Sequence, residues 1–137
     1  MNDYLHPVMP EKQLNAMSAL ALAHIGDAVF ELLIRTKLCV SGGTTNGRLH
    51  RDTVALVCAS AQAEFADRMQ PHLTEAETAY YRRGRNAHPH SVPKSASPVV
   101  YAKATGVETL FGALYLLGRQ ERIAALFAAV TEDDHAL

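Results

Sequence analysis

The chain has 137 residues, 48% of them hydrophobic and 20% charged, with a formal net charge of −1. These are the proportions of a single globular domain with its own core, and the near-neutral total does not announce a polyanionic partner. No apolar run approaches the roughly 18 residues of a membrane span, MNDYLHPVMPEK lacks a signal-peptide pattern, and Cys39 and Cys58 are too far apart for a zinc knuckle or a redox pair. The expectation is a cytoplasmic protein with reduced thiols and no membrane partner.

The first predicted helix runs from Asn15 or Ser18 to Lys37. Leu14, Met17, Ala21, Ile25, Ala28 and Leu32 form one stripe, widened by Leu22, Val29 and Leu33. Its middle, LAHIGDAVFELLIR, is unusual. A glycine inside a helix costs about 1 kcal/mol relative to alanine, and a carboxylate carried into an apolar interior needs a partner. Glu31, one turn before Arg35, reads as half of an (i, i+4) pair. CVSGGTTNG is a loop.

A second helix is predicted over Arg48 to Met69, with Leu49, Val54, Val57, Ala61 and Phe65 inward. Thr74 and Glu77 form a capping-box pattern that starts a short third helix, fading near Gly84. NAHPHSVPKSASP is a long loop, and Ser97-Pro98 supplies an N-cap followed by proline at the first helical position. The fourth helix then runs to Leu117, stops at Gly118, and is followed by a fifth over Gln120 to Val130. Nothing alternates with period two, so the predicted fold is all-α.

The fourth helix repeats the anomaly of the first. In TGVETLFGALYLLG, Glu108 is the lone charge, with Gly106 and Gly112 nearby. Close packing of the two helices would bring Asp27 and Glu108 together, and two carboxylates sharing a site repel unless a cation or proton lies between them. A hard divalent ion such as Mg²⁺ satisfies oxygen ligands of this kind. The competing reading is a structural ion pair with Lys103 or an arginine. Arg82, Arg83, Arg85 and Lys94 gather near His88 and His90, a local basic patch in a nearly neutral chain. HRD at His50 to Asp52 matches a kinase catalytic loop in letters only, since no glycine-rich loop or DFG accompanies it. Tyr80, Tyr81 and Tyr101 read as core residues with a wet hydroxyl.

IGDAVFE resembles the signature helix of the ribonuclease III catalytic domain, and GVETLFGALYLLG resembles its second acidic helix. LHRDTVALVCASAQAE and YYRRGRNA followed by SVPK are similar to the stand-alone Mini-ribonuclease III branch. The resemblance covers about Leu14 to Leu126. It implies a homodimeric, all-α helical bundle of the ribonuclease III endonuclease type: an N-terminal segment over 1–13, expected to be mobile, a catalytic domain over 14–130, an acidic tail over 131–137, and no double-stranded-RNA-binding domain.

It further implies Mg²⁺-dependent cleavage of double-stranded RNA, with Mn²⁺ as a substitute ion. Precursor 23S ribosomal RNA is the implied substrate, and a ribosomal protein could present it. Asp27 matches the family's catalytic aspartate and Glu108 its metal-binding glutamate, so both are expected to hold the ion while an activated water attacks. The expected products carry a 5′ phosphate and a 3′ hydroxyl, in staggered cuts with a short 3′ overhang. Ala23 and Thr105 stand where full-length relatives carry further acids, which implies a leaner metal shell. Arg83, Arg85, Asn86 and Lys94 are the expected RNA contacts. His50 matches a histidine of the branch, where it either touches RNA or packs at a helix start. The rival function is a non-catalytic dimeric RNA-binding or ribosome-assembly module on the same fold.

Overall fold

The computed structural model describes residues 3–42, 45–87 and 97–132. They form seven α-helices: α1 (Glu11–Asn15), α2 (Ala19–Ser41), α3 (Asn46–Val57), α4 (Ala59–Met69), α5 (Glu75–Arg85), α6 (Pro98–Leu116) and α7 (Gln120–Thr131), with a short 3₁₀ turn at Gln70–His72. No strand occurs among the described residues.

Local chemistry accounts for most boundaries. Ser18, Thr45 and Ser97 each accept a backbone N–H from the first turn of α2, α3 and α6. Thr74 and Glu77 close a complete capping box on α5, and Pro98 opens α6. The predicted helix over Arg48 to Met69 is two helices. Cys58 is extended, with φ −66° and ψ 161°, so the chain turns there and α4 starts in a new direction. α1, a five-residue turn, carries the buried Leu14. Residues 3–10 lie against the ends of α6 and α7: Met9 N–H donates to Leu116 at 2.8 Å, the Gln120 amide to Leu5 at 2.8 Å, and the Tyr115 hydroxyl to Tyr4.

α6 is the axis of the fold. Residues 104–114 are buried except at Glu108, and a helix apolar nearly all round must be enclosed. α2, α4, α5 and α7 surround it. Phe30, Phe65, Phe111 and Phe127, one from each of α2, α4, α6 and α7, meet with ring centroids 5.1–6.4 Å apart. Burying each such ring stabilises the bundle by about 2–3 kcal/mol.

The face of α2 differs from the predicted one. Leu22, Ala23, Gly26, Phe30 and Ile34 point inward, whereas Leu32 is 65% exposed. Ile25, Ala28, Val29, Leu32 and Leu33 line an apolar cleft of about 520 Å³ with Leu5 and Tyr115. α2 has apolar residues on two faces, and periodicity alone does not say which one meets α6.

Candidate active site

Gly26 explains why a helix breaker sits inside α2. A Cβ at Gly26 would lie 1.6 Å from the Glu108 carbonyl oxygen, and one at Gly112 would lie 1.9 Å from the Leu22 carbonyl oxygen. Backbone touches backbone at both places, so α2 and α6 cross closer than any side chain permits. Because Leu22 faces Gly112 while Gly26 faces Glu108, the helices run in opposite directions at the crossing. Asp27, the next residue on α2, therefore stands beside Glu108 on α6.

Both acids open into a cleft of about 420 Å³. α2 contributes Ala23, His24 and Asp27, α4 contributes Gln62, and α6 contributes Tyr101, Thr105 and Glu108. Glu108 is half-buried and Asp27 is exposed. The expectation of two buried acids is thus correct in part for Glu108 and incorrect for Asp27, because the cleft is open on the α2 side. Burial, followed by the hydrogen bond and the negative charge of Asp27, pushes the Glu108 carboxyl up to about 8. Gln62 pulls the other way, toward the ionised form.

Among the described residues neither Asp27 nor Glu108 forms an ion pair with Lys103 or an arginine. Lys103 bonds Asp67 at 2.8 Å, while the Glu31–Arg35 pair forms as predicted at 3.1 Å. Among the described residues, no group of three or more His, Cys, Asp or Glu is arranged to hold a metal. Two carboxylates, one pushed toward its protonated form by burial and by the other, nevertheless fit a hard divalent ion that keeps most of its waters. Ala23 and Thr105 line the cleft beside the two acids.

The basic residues divide. Gly84 on α5 packs against Thr109 and the Thr105 carbonyl, so the C-terminal end of α5 lies alongside the α6 stretch that carries Glu108. Asn86 caps α5 and is exposed. Arg85 lies over the Tyr81 ring, 5.8 Å from its centroid, with its Nε 3.4 Å from the Asn86 side-chain oxygen. Arg83 is half-buried and donates to the Met17 carbonyl, which gives it an anchoring task. His50 is exposed on α3, in a separate small cleft with Arg35, Cys39 and Asn46. Lys94, His88 and His90 lie outside the described residues.

Gln62 was missed by sequence reasoning. It is 3% exposed and faces the cleft. The available signal was its spacing: Ala59, Gln62, Ala66 and Met69 share one helical stripe, and Gln62 is the polar member. Tyr101, expected in the core, is half-buried on the cleft wall.

The geometry agrees with what the chain is similar to. The ribonuclease III domain family matches residues 20–119. Mini-ribonuclease 3 of Symbiobacterium thermophilum is 43% identical over 113 residues, covering 82% of this chain and 87% of that protein. Mini-ribonuclease 3 of Gloeobacter violaceus is 42% identical over 127 residues, covering 93% and 92%. A crystal structure of a Fusobacterium nucleatum protein superposes with a TM-score of 0.78 at 30% identity, covering 89% of this chain and 98% of that one. A family match over most of the helical bundle, with relatives above 40% identity along nearly their whole length, establishes that the chain belongs to the ribonuclease III family, in its Mini-ribonuclease 3 branch.

Proposed function

We propose that the chain is a divalent-metal-dependent endoribonuclease acting on double-stranded RNA, with precursor 23S ribosomal RNA as its substrate and Asp27 and Glu108 as its metal-holding acids. The observation that carries the reading is the α2–α6 crossing. Gly26 and Gly112 bring two backbones into contact, and the result is an open cleft with two carboxylates that no cation among the described residues pairs with. A stable bundle does not need that arrangement, whereas phosphodiester chemistry does.

Asp27 and Glu108 would hold Mg²⁺, or Mn²⁺ in its place. Such an ion, when bound, supplies acidified water and neutralises charge on a phosphate oxygen. The chain's own part is placement. The glycine contact sets the separation of the acids, and the open α2 side admits a phosphate. Asn86 and Arg85 at the end of α5, with Lys94 and His50, would contact the RNA backbone, which is read by its shape and its 2′ hydroxyls more than by sequence. Arg83 would hold α5 in place for them through Met17.

The active form is proposed to be a homodimer. The uncovered apolar stripe of α2, with Leu32 65% exposed beside a cleft of about 520 Å³, supports a second copy docking there. Two clefts across one A-form duplex would give staggered cuts.

The test is cleavage of an end-labelled RNA duplex with and without Mg²⁺, using wild type, Asp27→Asn and Glu108→Gln. Wild type should cut only with the ion, leaving 5′ phosphates. Both variants should lose at least about a thousandfold in rate, equivalent to roughly 4 kcal/mol of barrier lowering, while keeping their helical circular dichroism. Sedimentation should give the mass of two chains. A wild type that binds duplexes, including a precursor ribosomal RNA stem, and never cuts would replace this reading with the non-catalytic binding module.

A further inference from the structure

Gln62 is a polar side chain where the fold asks for an apolar one. Its neighbours in the stripe, Ala66 and Met69, are fully buried, and Gln62 itself is 3% exposed. Its amide nitrogen has no hydrogen bond of normal length among the described residues. A buried donor left without a partner destabilises a protein relative to a hydrocarbon of similar shape, so packing gives no reason for an amide here.

The amide faces the cleft that holds Asp27 and Glu108. Most other walls of that cleft offer it nothing. Leu20, Ala23, Val57, Ala59 and Ala104 are apolar and present no side-chain acceptor. Glu108 is the group that responds to Gln62, which favours its ionised form. A carboxylate has about four lone-pair directions on two oxygens, so it can accept an amide N–H on one oxygen and keep the other free.

We propose that Gln62 is a positioning residue whose buried amide N–H donates to one oxygen of the Glu108 carboxylate and so aims the other toward the space beside Asp27. The inference rests on the metal-dependent reading above. Gln62 does for Glu108 what hydrogen-bonded partners behind metal-binding carboxylates do generally: it limits the rotamers from which the ligand must be collected. It also gives the leaner site, with Ala23 and Thr105 in place of acids, a third polar group that adds no negative charge.

The experiment measures Mn²⁺ binding to the full chain by electron paramagnetic resonance, beside thermal unfolding without ion. The variants are Gln62→Met, which keeps length and volume, and Gln62→Asn, which keeps the amide but withdraws it by one methylene. Gln62→Met should unfold at or above the wild-type temperature, because an unpaired buried donor has gone, yet bind Mn²⁺ about tenfold more weakly. Gln62→Asn should also bind more weakly, with no gain in stability, and it serves alone if the methionine variant does not fold. A purely structural glutamine predicts the reverse: lower unfolding temperature and unchanged affinity. Mn²⁺ affinity within twofold of wild type in either folded variant overturns the role of Gln62 and leaves the metal reading intact. A wild type that binds no Mn²⁺, or binds it equally well as Glu108→Gln, overturns both.

Discussion

Glu77 and Glu108 are both acids set among apolar helices, and the fold treats them in opposite ways. At the α5–α7 contact Glu77 is 4% exposed, yet both of its oxygens are answered. Arg122 donates to it twice, at 2.7 and 2.9 Å, and the Thr74 N–H donates at 2.9 Å. Burial alone would push this carboxyl up, but Arg122 and Thr74 outweigh burial and hold it below its usual range. At the α2–α6 crossing Glu108 has more access to water and far less support. Its neighbours are another acid and one amide, and its carboxyl is driven up to about 8. A completed pair locks two helices. An incomplete one leaves lone pairs for something outside the chain, and that is the physical difference between a structural acid and a candidate ligand.

The sharpest way to break the comparison is to push α2 and α6 apart. Gly26→Ala places a methyl where the Glu108 carbonyl oxygen already is. It should cost about 3–5 kcal/mol, read from the midpoint of urea unfolding, and should abolish cleavage even in molecules that remain folded. Gly47→Ala on α3 is the control, because its Cβ would meet only the Arg51 guanidinium at 4.0 Å. That variant should be neutral or gain up to about 0.5 kcal/mol, because alanine favours the helix. Equal effects from the two substitutions would show that the crossing is looser than the structure places it.

Next comes removal of each acid's charge. Glu77→Gln strands Arg122, and the partial exposure of that guanidinium limits the loss to about 2 kcal/mol. Its cleavage rate at a temperature where it is folded should match wild type. Glu108→Gln should leave ion-free stability within about 1 kcal/mol at neutral pH, because burial and Asp27 already push Glu108 toward the uncharged form that the amide mimics. It should erase stabilisation by added Mn²⁺ instead. Calorimetric unfolding with and without the ion separates the two variants. A Glu77→Gln enzyme that folds but does not cut would make Glu77 part of the site.

These contrasts also show what could be read from residues alone. The caps at Thr74 and Ser97 and the stop at Gly118 were legible because each depends on a few neighbouring residues. Asp27 and Glu108 were legible as acids set beside glycines on nearly uncharged helices, and Gly26 and Gly112 as the small residues that let those helices meet. The break at Cys58 was not legible, since no glycine or proline marks it and the reason is tertiary. Val57 and Ala59 both turn into the cleft, which a continuous helix would not allow. The inward face of α2 was hidden because two of its faces are apolar, and the contact of Arg83 with the Met17 carbonyl because its partner lies 66 residues away in the chain. Gln62 was obscured by its neighbours: a single amide in a stripe of alanines looks like noise until the opposite wall is known.

The last effect, the smallest per step of measurement, is also the one that tests the comparison most directly, because pH moves the two acids in opposite directions. A carboxyl whose native pKa lies above the unfolded value of 4.5 keeps its proton in the folded state after the unfolded chain has lost it. Glu108 therefore contributes full stability below about 4.5 and loses it progressively as pH rises toward about 8. Glu77, held below 4.5, contributes above that value and loses its contribution only as pH falls through its native pKa. Between pH 5 and 8 the ion-free protein should thus become less stable. The slope is at most about 1.4 kcal/mol per unit for one proton, and about 1 kcal/mol after allowance for water in the cleft. Saturating Mn²⁺ should flatten the decline, since a bound cation favours the ionised carboxylate in the native state. Glu108→Gln should flatten it without any ion, and Glu77→Gln should leave it in place. Unfolding temperatures at half-unit steps of pH measure all four curves. A wild-type stability that rises from pH 5 to 8 would mean that Glu108 is already paired with a cation of the chain itself, and the distinction between the two acids would disappear.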